Sequence, residues 1–136
     1  MAVPARRHEG TVARVVLCSC DRSTGSALQA CLAAPEIDVL DCPAVESLIE
    51  EVVRHRPEVV VYELRPDRQA DLAVLHLLKR AAPDLPLVLI TAAGSLESER
   101  LIRELRPVYY AVQPVEPGEI LDAVHAALAR RGRHGP

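Results

Sequence analysis

The sequence has no tryptophan and no phenylalanine, and three tyrosines are its whole aromatic complement. Proteins that grip single-stranded nucleic acid stack bases on several aromatic side chains, so that mode of binding is disfavoured. A strong charge of one sign is lacking too: the net charge is −3 with 26% charged residues, which exerts no pull toward nucleic acid or an anionic membrane. No apolar run approaches the roughly 18 residues of a membrane span. Residues 1–12, despite Arg6-Arg7, lack the apolar core of a secretory leader, so the expected location is cytoplasmic.

Cysteine is sparse. Cys18, Cys20, Cys31 and Cys42 are too few and too irregularly placed for a disulfide scaffold, and a reducing compartment keeps them as thiols. Cys18-Ser19-Cys20 resembles half a metal site, but no second Cys/His pair follows at ligand spacing. The expectation is therefore no metal and no cofactor, with the cysteines as packing residues of strands and helices, Cys18 and Cys31 in the core. Phosphate-binding signatures are also missing: there is no glycine-rich dinucleotide loop after the first strand and no Walker lysine motif. Ser23-Thr24-Gly25-Ser26 is small and polar, and reads as a helix cap, supplied by Ser23 or Asp21, in preference to an anion cradle.

What is present is organised around Pro57-Glu58-Val59-Val60-Val61-Tyr62-Glu63-Leu64-Arg65-Pro66. Consecutive bulky apolar residues without polar alternation imply a strand covered on both faces, as in a parallel sheet flanked by helices. Such sheets place their sites beyond the carboxyl ends of the strands, which is where Glu63 falls. At 136 residues the chain makes one domain, able to bury roughly two thirds of its unfolded surface.

The chain then alternates. Strands are expected over Ala13–Ser19, Ile37–Asp41, Val59–Glu63, Leu85–Thr91 and Val108–Val112. A first helix runs to about Ala34. A second starts near Pro43 with Val45, Leu48, Ile49, Val52 and Val53 on its apolar face. A third carries Leu72, Val74, Leu75, Leu77 and Leu78, a fourth Leu96, Leu101, Ile102 and Leu105, and a fifth Ile120, Leu121, Val124, Ala127 and Leu128. Five βα units with right-handed crossovers give an α/β doubly wound, flavodoxin-like three-layer sandwich with parallel strand order 2-1-3-4-5. Residues 1–12 form a tail, 13–130 the domain and 131–136 a basic tail. The switch point between strands one and three brings Ser19-Cys20-Asp21 and Glu63 around one crevice, with Thr91 and Gln113 across it.

Three segments carry a resemblance: Arg56 to Pro66, Leu85 to Ala92, and Tyr110 to Leu121. Through them residues 13–131 resemble a receiver domain of bacterial two-component response regulators. The resemblance implies that Glu63 stands at the phosphoacceptor aspartate, Gln113 at the lysine before a cis-proline (Pro114), and Ser19 and Cys20 at the metal-binding acidic pair. Asp21 keeps a carboxylate nearby, and a one-residue shift would bring it into the pair, at the expense of the match at Leu28. In either register an acid is missing.

Thr91 and Tyr110 match the family's switch residues, whereas Tyr62 and Tyr109 read as packing residues. A hard divalent cation wants several oxygen ligands, and Gln113 carries no charge to neutralise an acyl phosphate. The expected function is therefore a non-enzymatic pseudo-receiver, a protein-interaction module of a two-component-like phosphorelay. Glu63, accepting hydrogen bonds from Thr91 and Gln113, would hold it active-like with Tyr110 turned inward. Alternatives are a small-ligand domain using the vacated crevice and a conventional phospho-accepting regulator.

The implied contact surface, for a partner protein or a homodimer, is helix four, strand five and helix five. It carries Glu97, Glu99, Arg100, Arg103, Glu104 and Arg106 on helix four, with Glu119, Asp122 and His125 on helix five. Cys20, at the mouth of the crevice, is the thiol expected to be most accessible.

Overall fold

A computed structural model describes residues 12–19, 22–64, 69–91 and 96–134. Its elements are β1 (Ala13–Cys18), α1 (Arg22–Leu32), β2 (Ile37–Asp41), a 3-10 turn (Val45–Ser47), α2 (Leu48–His55), β3 (Val59–Leu64), α3 (Gln69–Ala81), β4 (Leu87–Thr91), α4 (Leu96–Glu104), β5 (Tyr109–Val112) and α5 (Pro117–His134). The sheet order is β2-β1-β3-β4-β5 and every pairing is parallel, the doubly wound arrangement expected from the βα alternation.

All six residues of β3 are buried, because α-helices cover both of its faces. Alternate strand residues feed two cores. Val15, Leu17, Val61, Val88 and Ile90 meet Leu28 and Leu32 of α1 and Ile120 and Val124 of α5. On the other face Val16, Cys18, Val60, Tyr62 and Leu89 meet Leu48, Leu75, Leu78 and Ile102 of α2, α3 and α4. A fully buried Leu or Ile side chain contributes about 1.5–3 kcal/mol relative to exposure, so these two layers dominate the stability. No described helix is long and apolar enough to cross a membrane.

Several local expectations change. The α1 helix begins at Arg22, so Ser23, Thr24 and Gly25 lie within its first turns and Ser23 is not its cap. Val53 and Leu77 match the apolar periodicity yet are exposed, at 70% and 54%, because only one stripe of α2 and of α3 meets the sheet. Cys31 is only half-buried, since α1 turns that face away from the core centred on Leu28 and Leu32. Arg106 is not part of α4: it follows the helix in the left-handed region at φ 52, its N–H donating to Arg103 O at 3.0 Å. Arg56 closes α2 in the same way at φ 50. The α5 helix continues to His134.

Candidate functional site

The carboxyl edge of the sheet assembles the site from the ends of β1, β3, β4 and β5. Glu63, 4% exposed, is the penultimate residue of β3. Its carboxylate is gripped from both sides: Ser19 donates its hydroxyl to Oε1 at 2.5 Å, and Gln113 donates its side-chain amide to Oε2 at 2.5 Å. Ser19 follows the last residue of β1, and Gln113 follows the last of β5. The backbone fixes the second donor, because the Gln113 N–H donates to Thr91 O at 2.7 Å; the Gln113–Pro114 peptide is cis. Glu63 is thus a strut joining the ends of β1 and β5, with charge-assisted hydrogen bonds on both oxygens.

Ser19 as a direct partner of Glu63 is not legible in the sequence, where it stands only at a missing-acid position. Nor is the role of Gly25. A Cβ at Gly25 would lie 3.1 Å from Ser19 Cβ and 3.2 Å from Ser19 Oγ, so the absence of a side chain there lets α1 close over the site. Glycine within a helix ordinarily costs about 0.8–1.0 kcal/mol relative to alanine. Gly25→Ala is nevertheless expected to lower the melting temperature, because the Ser19 Cβ cannot rotate away. In the Ser19→Gly background the same change should raise it. A thermal-denaturation cycle on the four proteins measures the difference, and a rise in both backgrounds would show that the contact yields freely.

Thr91 is buried, at 1% exposed, on the end of β4. In the sheet register Leu64 pairs with Thr91, and Leu89 pairs with Tyr110. Thr91 and Tyr110 therefore lie on the face covered by α2, α3 and α4, while Glu63, one residue out of phase, belongs to the opposite parity. Tyr110 is half-buried against the core on its face. Its phenol pKa is raised first by burial and then by Glu99, with Arg103 opposing, which places the ring beside α4. On the other face, Tyr109 donates its hydroxyl to Glu119 of α5, and that bond raises its pKa; Tyr109 is a polar tie between β5 and α5 as well as a packing residue.

Cys20 and Asp21 fall outside the described residues. Among those described, no group of three or more His, Cys, Asp and Glu side chains stands close enough to hold a metal ion. Among the described residues a hard cation would find here one hydroxyl and one carboxylate, both of whose oxygens already accept hydrogen bonds, and these two side chains alone do not fit a magnesium site.

Cys18 and Cys42 sit side by side at the ends of β1 and β2, where the Cys42 N–H donates to Leu17 O at 2.9 Å. Their thiols interact, which pushes the Cys18 pKa up and the Cys42 pKa down. Both are buried and Cys31 is not. Brief alkylation with iodoacetamide should therefore label Cys31 well before Cys42, with Cys18 last. Peptide mass mapping reads the order, and early labelling of Cys18 would contradict the buried thiol pair.

No protein-family model matches the chain. Among curated proteins it is similar to the regulatory protein LuxO of Vibrio cholerae, with 24% identity over 98 residues, 72% of this chain and 22% of that protein. It is also similar to the transcriptional regulatory protein TcrX of Mycobacterium tuberculosis, with 31% identity over 86 residues, 63% of this chain and 37% of that protein. The chain thus spans well under half the length of these relatives.

Among solved structures, a CheY-like response regulator receiver domain protein from Methanospirillum hungatei superposes with TM-score 0.81 at 15% identity, covering 92% of this chain and all of that one. The signal receiver domain of a LuxO repressor protein from Vibrio parahaemolyticus gives 0.78 at 17% identity, covering 90% and 95%. The structural neighbours are response regulator receiver domains, and the chain has the CheY-like receiver fold.

Proposed function

We propose that this chain is a pseudo-receiver: a cytoplasmic, non-enzymatic module of bacterial two-component-like signalling that acts through protein contacts and does not accept a phosphoryl group. The observation that carries this reading is the Glu63 carboxylate, held at both oxygens by Ser19 and Gln113. A nucleophilic carboxylate must present a lone pair in line with the phosphorus, and the developing charge must meet a cation or several donors. Here the oxygens are committed to neutral donors, and Gln113 brings no positive charge to the lysine-equivalent position. The same two bonds make Glu63 a fixed stand-in for a modified acceptor, with Thr91 and Tyr110 as the switch pair beyond it.

The output surface on this reading is α4, β5 and α5. The edge strand β5 leaves Val112 at 42% exposure, and Arg100, Arg103, Glu104, Asp122 and His125 are exposed around it. Mixed charge of this kind pairs across a two-fold axis or with a partner of the same pattern. Incubation with acetyl phosphate, or with beryllofluoride, and magnesium is expected to give no mass increase and no thermal stabilisation. Stoichiometric magnesium-dependent modification of Glu63 would overturn the reading.

A further inference from the structure

The edge of the sheet farthest from Glu63 carries a second concave feature, a cleft of about 830 Å³ at the amino ends of β4 and β5. Its floor is apolar: Leu85, Leu105 and Ala127 are buried there, and Val108 is half-buried. Its rim carries Lys79, Arg80, Arg106 and Arg130 against Asp84 and Glu104. Four cations less two carboxylates leave an excess of two positive charges, on a chain whose net charge is −3. The volume lies within the roughly 300–1,000 Å³ typical of small-molecule sites, and an apolar floor with a few convergent polar groups is the usual composition of such sites.

Two of the cations are placed by the fold. Lys79, on the last turn of α3, is half-buried, and its Nζ lies 3.4 Å from Pro83 O and 3.5 Å from Leu85 O. The ammonium is thereby tied to the segment between α3 and β4 that lines the cleft. Arg106 also lines the cleft, in a left-handed backbone conformation just beyond α4. Desolvation lowers the Lys79 pKa, Asp84 opposes that, and Arg106 adds a smaller lowering. An anion placed beside a partly dehydrated ammonium with other cations at the rim stabilises its charged form.

We propose that this cleft binds an anionic small molecule with an apolar body, its phosphate or carboxylate held between Lys79 and Arg106 and its body against Leu85, Leu105 and Val108. The site is independent of Glu63 and of any phosphotransfer there. The test is a titration of the isotope-labelled full chain, followed by amide chemical shifts, with 4-nitrophenyl phosphate, with 4-nitrobenzoate and with neutral 4-nitrobenzyl alcohol. The anions are expected to give saturable shifts confined to residues 79–86 and 104–108, at least tenfold tighter than the alcohol, and the tighter anion identifies the head group.

Arg106→Gly removes one cation at a backbone conformation glycine adopts without strain, and Lys79→Met keeps the apolar stem; each should weaken binding about tenfold. Shifts scattered over surface cations outside the cleft would overturn the proposal. So would affinity in the folded Arg106→Gly protein within twofold of the parent.

Discussion

Truncation of Leu89 to alanine is expected to cost about 2–5 kcal/mol of folding free energy, the range for emptying a tightly enclosed leucine site. Leu89 is fully buried, and the strand register sets it between Tyr62 on β3 and Tyr110 on β5. With Cys18 paired to Tyr62, four side chains form a row across one face of the sheet. A void at Leu89 would have large, stiff rings on two sides, which cannot collapse into it as an aliphatic neighbour can. Small domains are stable by only about 5–15 kcal/mol, so a loss of this size takes a large share of the total. Urea denaturation of the two proteins measures it; a cost under 1 kcal/mol would mean that Tyr110 or Tyr62 refills the space.

The second large effect is expected at Glu63. Hydrogen bonds to a charged group contribute about 1.5–3 kcal/mol each, and Glu63→Ala removes two. Ser19 and Gln113 are half-exposed and regain water in the variant, so the net cost should be about 2–4 kcal/mol. Glu63→Gln separates geometry from volume. It nearly preserves size, but turns a second amide N–H₂ toward one of two groups that already donate. Its cost should be about 1–2 kcal/mol, accompanied by weaker self-association or partner binding as the strut between β1 and β5 slackens. Denaturation and sedimentation on the three proteins provide the readout. A glutamine variant as stable and as associated as the parent would reduce Glu63 to filler.

The sheet is legible in the sequence because a strand covered on both faces must be apolar at every position, and Val59–Val60–Val61 and Leu87–Val88–Leu89–Ile90 satisfy that without alternation. Glu63 and Gln113 are legible for a different reason: polar residues at the ends of buried strands have few other places to be. Periodicity cannot tell which apolar residue of a helix lies just past the contact stripe, and Val53 and Leu77 are exposed on that account. It is equally blind to close approach between elements distant in sequence, so the Gly25 contact with Ser19 appears only once α1 is docked. Asp71 is a third such case: it belongs to the first turn of α3, where an acidic residue suits the helix dipole, yet it is 4% exposed. Left-handed helix ends at Arg56 and Arg106 escape sequence reading because glycine, the usual signal, is absent there.

The burial of β3 on every side reaches beyond packing into how the molecule opens. Each inner amide of Val59–Leu64 is shielded by neighbouring strands on both edges and by helices above and below. Local fraying of β2 or β5 leaves those amides covered, so deuterium enters them only when the whole molecule unfolds. Their exchange rates in native buffer are therefore a direct meter of global stability, and those of Tyr109–Val112 on the edge strand are a meter of sub-global opening. The spread between the two is the free energy by which the proposed output surface can loosen while the strand bearing Glu63 stays in place.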